Sequence, residues 1–510
     1  MAPVYEMVAT INEGKSKAGY DTSSFTRKIC YIGLSISWVL GIGTLTTGAV
    51  VLRKNSISSW PVVNVSRTMK ELIPLLLNIF VTILTECFGF IHATALRWAL
   101  QKDLTFNANL RLFTSPKSGP VSLGRLSNLF HAALLVLSYV STSLVFCSSP
   151  PTRLCRQIYR EPDYYCAYDE KAVYVSPPAL FLLGGSIVGQ AIIATCQLVA
   201  VKIPSWSSAP VNTAWIQHDT GTIIRRHGRC MMSVHDSKTP SIPVQPRLKQ
   251  RSAWHAHSEI KRVLIYICIL TLLTYTWFAS LYIGIVVRHR VVLKEDGECY
   301  DCDVYPGTDW SLLPDSRNFT SLVDITNLGE VDPNGPGGAW MMMFLLIFVF
   351  QVFITMGLHC AELVVNVSRD EEVWRSLASD KGYMTGTNSI LAAMKSWKTV
   401  LLLTLKPVVH WVFGMGMAYY YGWGVFMRPP QILYLSFVLT VLATFSTIIC
   451  RQCPKGPQPA TYGHLQTLVD LIDEWYEHMY WGHKGESDSV LHAGTAEVRL
   501  PGVVMEGFYS

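Results

Sequence analysis

About eight long blocks of apolar residues, separated by polar connections, constrain this chain more than any motif in it. The blocks run Tyr31 to Leu52, Leu72 to Leu96, Leu126 to Phe146, Ala179 to Val201, Val263 to Val287, Ala339 to Leu363, Val400 to Tyr421 and Ile432 to Cys450. At ~1.5 Å per residue, a helix over each reaches across a hydrocarbon core of about 30 Å. Only 15% of the 510 residues are charged, against roughly a quarter in an ordinary soluble domain. The fold class expected is therefore all-α: a polytopic transmembrane helix bundle of about eight spans. The seventh block carries Lys406 and Pro407 in its middle. It leaves two readings open: a crossing that begins before Lys406, or an interfacial stretch near Ser389 to Leu405 with the crossing starting at Pro407.

The basic residues between blocks set an expected orientation. Arg97 to Arg125 holds five basic residues against the single acid Asp103, and Lys202 to Arg262 holds ten against three, a net of +7. Arg288 to Gly338 holds four against ten, a net of −6. The positive-inside rule puts the first two in the cytosol and the third outside. Both termini are then cytosolic, and the short turn with Arg53, Lys54, Arg67 and Lys70 is the one violation. The apolar run nearest the amino terminus is longer than a signal-peptide core and is expected to be retained. The expected organisation is a cytosolic segment 1–29, spans 1–4 over 30–201 and a basic cytosolic loop 202–262. Spans 5–8 follow over 263–450 with an acidic outer loop 288–338, then a cytosolic tail 451–510. The location implied is the plasma membrane or a secretory-pathway endomembrane.

On this topology Cys155, Cys166, Cys299 and Cys302 face an oxidising side and are disulfide candidates. Asn64 and Asn318 stand in outward-facing Asn-x-Ser/Thr sequons and are glycosylation candidates.

The 202–262 loop reads as a solvated basic segment whose surplus charge suits anionic membrane lipids. Its His255-x-His257 pair and nearby His235 lack the converging ligands a metal needs, so no metal or cofactor is expected. In the tail, Leu465, Leu468, Val469, Ile472, Trp475, Met479 and Tyr480 recur at three- and four-residue spacing. With Asp470, Asp473, Glu474 and Glu477 between them, they predict an amphipathic helix over about 464–481. Its acidic face is expected to dock on the chain's own basic loop or on a partner protein. No basic run is interleaved with aromatics as a nucleic-acid groove requires.

Two stretches carry a resemblance. Trp206, Pro210, Asn212, Thr213, Arg226, Gly228, Arg229, Cys230, His235 and Asp236 form one; Tyr462 to Leu465, Asp473 to Trp475, Trp481, Gly482 and His492 to Thr495 form the other. In these the chain resembles multi-pass membrane proteins of filamentous fungi, a family that brings no established activity with it. The resemblance implies a fungal source and nothing about mechanism.

Any chemistry should reside in ionisable groups within the spans, because a charge at a helix centre costs roughly 2.5–3.5 kcal/mol on insertion scales. The candidates are Glu86, His92 and Arg97 of the second span, His359 and Glu362 of the sixth, and Lys406 and His410 of the seventh. Glu86 is the deepest carboxylate and is expected to turn inward and meet Lys406 or His410. Three functions follow: transport of a small-molecule solute or of protons through Glu86; a non-catalytic scaffold or receptor with these groups paired; or a membrane-embedded enzyme of a specialised-metabolite or lipid pathway, with His92, His359, Glu362 and His410 as metal or acid/base groups. No residue is assigned a catalytic role.

Overall fold

The computed structural model describes residues 20–54, 60–148, 171–295, 310–313, 323–324, 336–420, 424–487 and 490–510. Its helices are α1 (Ser24–Lys54), α2 (Arg67–Ala99), α3 (Arg125–Val145), α4 (Pro177–Ala200), α5 (Pro210–Asp219), α6 (Ser258–Glu295), α7 (Pro336–Ser376), α8 (Ser389–Lys395), α9 (Trp397–Gly416), α10 (Pro429–Arg451) and α11 (Leu465–Leu471). Among the described residues eight are long and apolar enough to cross a membrane: α1, α2, α3, α4, α6, α7, α9 and α10. Each coincides with one expected block. Local chemistry sets their starts: Ser66 caps α2 and Ser176 caps α4 by accepting from Met69 and Ala179 amides. Prolines at the first positions of α4 and α10 fill sites where no amide partner is lost.

α9 decides the seventh span. It runs unbroken from Trp397 through Lys406 and Pro407 and is as a whole long and apolar enough to be the seventh span, while the stretch before it forms the separate helix α8. The tightest helix pair is α1 with α4. A side chain on Gly184 would strike the Leu45 backbone, and one on Gly48 would lie 2.6 Å from the Phe181 amide nitrogen. Small residues are what let two such helices approach closely in lipid.

The connections sort to opposite ends of the bundle. At one end short strands leave every loop that turns there: β1 (Val62–Asn64) after α1, β2 (Phe146–Ser148) and β3 (Ala172–Val175) after α3, β4 (Val323–Asp324) after α6, and β6 (Met417–Tyr420) and β7 (Gly424–Met427) after α9. They join into one sheet of order β1-β3-β2-β6-β7-β4. Its ladder satisfies backbone groups that would otherwise be stranded near the bilayer.

At the other end the chain builds a second module. Val211 of α5, Trp374 at the end of α7, Leu465 and Leu468 of α11, and Met479, Trp481 and Tyr509 of the tail form one buried cluster with Leu96 of α2. The start of α1 belongs there too: the Ser205 hydroxyl donates to the Asp21 carbonyl at 2.6 Å. Both ends of the described chain therefore lie at the same end of the bundle.

Two expectations are corrected here. The 202–262 segment is not a solvated loop: Trp206, Asn212, Thr213, Gln217 and Arg229 are buried, and Arg226 and Arg229 reach Asp470 of the tail at 2.6 and 3.5 Å. The helix expected over 464–481 stops at Leu471. Beyond it Asp473 accepts from the Thr495 amide at 2.6 Å, and His478–Ser487 becomes β8, paired with β9 (Val490–Ala496) and with β5 (Tyr383–Met384). Met479 and Trp481 are buried as alternate residues of a strand, a period of two that the four-residue spacing of Met479 from Trp475 concealed.

Among the described residues the cysteines Cys30, Cys87, Cys147, Cys196, Cys230, Cys268, Cys360, Cys450 and Cys453 are free thiols. Cys155, Cys166, Cys299, Cys302 and the sequon residue Asn318 lie outside the described residues. Asn64 is exposed in β1.

Candidate functional site

Within the bundle α2 carries polar residues down one face. Asn78, Thr82, Thr85, Glu86, Gly89, Ala93 and Arg97 follow at helical spacing. α3 and α9 pack against this face, α7 packs on both of them, and all three bring their own polar groups to it.

Four charged groups close on one another at its middle. The Lys406 ammonium of α9 donates to Glu86 of α2 and to Glu362 of α7. Glu362 is also paired with Arg111, which enters on a 3₁₀ turn, Arg111–Phe113, of the α2–α3 connection. Gly89 leaves the room: a side chain there would come within 3.1 Å of the Arg111 guanidinium. Two carboxylates and two cations thus balance, the arrangement that makes charge tolerable at this depth. Burial separates the two acids. Glu362 and Lys406 side chains keep only 8% and 7% of their surface, whereas Glu86 keeps 33%.

Histidines surround this quartet. His359 Nδ1 lies 3.7 Å from Glu362. His92 shares a hydrogen bond of 2.9 Å with Gln197 and meets His131 edge to face at 5.1 Å. His410 is bonded to Gln351 at 2.5 Å; it does not touch Glu86, whose partner is Lys406. The chamber lined by Glu86, His92, Arg111, His131, His359, Lys406 and His410 has a volume of about 30 Å³, room for on the order of one or two waters. Several groups on or beside it are buried without a protein partner: His92 Nε2, His131 Nδ1, His359 Nε2, Thr355 Oγ1 and Gln351 Oε1. Water is the natural partner for such atoms. Among the described residues no three of His, Cys, Asp and Glu come together as a metal site.

A run of neutral groups continues toward the sheet end. Tyr139 OH lies 3.1 Å from both Thr82 and Thr85. Thr82 donates to the Asn78 carbonyl at 2.7 Å, and Thr142 to the Asn78 side chain at 2.9 Å. Asn78 lines a second cavity, of about 50 Å³, with Lys70, Glu71 and Arg428. Toward the other end, Arg111 is shared with a third cavity, of about 40 Å³, which also holds Arg97, Asn107, Arg369 and Asp370. From Lys70 to Arg97 the file follows α2 for about 40 Å at ~1.5 Å per residue.

The structure therefore joins Glu86, His359, Glu362 and Lys406, sets His92 and His410 on the same chamber, and puts Arg97 in the neighbouring one. Sequence reasoning missed Arg111, His131, Tyr139 and Gln351. His131, Tyr139 and Gln351 could have been found as polar residues inside expected spans; Arg111 sits in a connection and was read only as a topology charge.

No family model, curated protein or solved structure matches this chain, and the likeness to fungal membrane proteins finds no support in those comparisons. The class rests on the fold itself: eight apolar helices define a multi-pass integral membrane protein.

Proposed function

We propose that this protein carries out proton-linked transport, with Glu86 as the group that takes up and releases the proton. The observation that carries this reading is the polar file along α2, three small cavities in series with a balanced charge quartet at its centre. When Glu86 gains a proton its hold on Lys406 weakens, and the quartet passes from neutral to a net positive charge. When it loses the proton the pairing returns. A central chamber of about 30 Å³ has room for about one or two waters, so a coupled solute of more than a few heavy atoms requires a conformational change. A scaffold needs no water inside the bundle, and it is less well supported because five buried polar atoms that call for a water partner cluster at this one place. The excess of basic residues in 97–125 and 202–262 supports an orientation with the module formed by these segments and the tail in the cytosol.

The test is reconstitution of the purified chain into sealed liposomes containing a pH indicator, with an imposed membrane potential. Proton flux above that of protein-free liposomes is expected. Flux equal to the lipid leak, at both signs of the potential, contradicts the proposal.

A further inference from the structure

The cavity beyond Arg111 has a charge imbalance that the quartet does not explain. Arg97, Arg111 and Arg369 line it together with a single acid, Asp370. Arg111 is compensated by Glu362. Asp370 takes its hydrogen bond from the Asn107 amide at 3.0 Å, and among the described residues no ion pair within 4.0 Å joins it to an arginine. Arg97 is 7% exposed. Its Nη1 donates to the Ser207 carbonyl at 2.7 Å, while its Nε is buried with no partner. Arg97 and Arg369 thus share the field of the one carboxylate Asp370, while Glu372, the other acid near Arg369, is paired with Lys398. Asn109, Ser208 and Asn366 add neutral polar groups to the same wall.

We infer that this vestibule binds a small oxyanion, a free phosphate or carboxylate, in the fork of Arg97 and Arg369. An unpaired buried cation is costly, and a bound anion removes that cost. A guanidinium presents two parallel N–H donors that match two oxygens of one oxyanion, which a point-charge lysine does not. The role of the anion as the transported or regulating species rests on the transport reading above; its binding does not.

The experiment uses the full chain in phosphatidylcholine nanodiscs at constant ionic strength, titrated with inorganic phosphate, acetate or chloride while the unfolding midpoint is followed. A ligand that binds only the folded state raises the midpoint saturably. Phosphate or acetate should do so and chloride should not. Arg369→Gln should raise the half-saturating phosphate concentration by about 10- to 100-fold, the equivalent of one charge-assisted bond. Asn366→Asp places a carboxylate against the arginines and should abolish the response while leaving the protein folded. No saturable effect on the parent, or an unchanged response in Asn366→Asp, overturns the inference. Stabilisation only when phosphatidic acid is added to the disc overturns the free anion and assigns the site to a lipid headgroup. Proton flux measured on the same preparations separates the two readings: phosphate binding without flux leaves the vestibule standing and removes transport, whereas flux without phosphate binding does the reverse.

Discussion

The imidazole of His410 lies flat on the phenol ring of Tyr139, with ring centroids 3.6 Å apart and planes 14° from parallel. This stack is the joint between two kinds of structure. On one side are the charges of Lys406, Glu86 and Glu362; on the other are the hydroxyls of Thr82 and Thr85, both within 3.1 Å of the Tyr139 oxygen. Tyr139→Phe retains the stack and removes the joint's oxygen. Proton flux should fall by at least about tenfold, while stability changes by only about 1 kcal/mol, the net worth of a hydrogen bond. Flux at the parental rate in this variant would show that the hydroxyl run carries nothing.

The two carboxylates of the quartet should respond unequally to neutralisation. Glu362 serves both Lys406 and Arg111 and is almost fully covered. Glu362→Gln leaves two cations under-compensated and should cost about 3–5 kcal/mol. Glu86→Gln leaves Lys406 its bond to Glu362 and should cost about 1 kcal/mol. Thermal unfolding of both variants in detergent checks the order, and equal losses would remove the distinction drawn from burial.

The tail hairpin should weaken as pH rises. The hydrogen bond that His492 donates to the Asp473 carboxylate, with the Cys230 thiol beside it, raises the His492 imidazole pKa to about 10. Burial alone would raise Asp473, but His492, the Thr495 amide and Lys484 hold its carboxyl well below the usual range. A raised histidine stabilises the fold fully below its unfolded value of about 6.5 and loses that contribution as pH climbs through the folded value. The depressed Asp473 contributes above its own unfolded value and is lost only in acid. Amide exchange of β8 and β9 should therefore speed up between about pH 7 and pH 10 beyond the intrinsic rate change. His492→Gln should flatten that excess, and a flat profile in the parent would contradict the pairing.

Tags placed after residue 20, in 202–262 and at the carboxyl terminus should be equally protected from external protease in sealed, right-side-out vesicles. The sharing of one end by Ser205, Asp21 and the tail requires all three to agree. Cleavage of one tag alone would break the arrangement of eight crossings.

The spans were legible because lipid imposes a single rule, length of apolar run, that needs no knowledge of neighbours. Glu86, Glu362 and Lys406 were legible for the same reason: a charge inside such a run demands a partner. Arg111 was not, since a loop arginine carries no such demand until the loop folds back into the bundle. The tail was misread because Leu465, Leu468, Val469, Ile472 and Met479 satisfy a helical period, while the partner strand Val490–Ala496 lies further along the chain, where periodicity within 464–481 does not record it. Asp470, read as part of an acidic face that docks on the chain's own basic segment or on a partner, is buried against Arg226 and Arg229 of that segment. The same charge pattern that suggested a docking face is used inside the folded module.

The most direct measurement is the potential-driven proton flux of Glu86→Gln against the parent, in liposomes matched for incorporated folded protein. Glutamine keeps the shape of the side chain and one accepting oxygen next to Lys406 but cannot release a proton. Flux reduced to the protein-free leak, with an unfolding midpoint close to that of the parent, is the expected result. Parental flux in Glu86→Gln would contradict proton-linked transport through this residue.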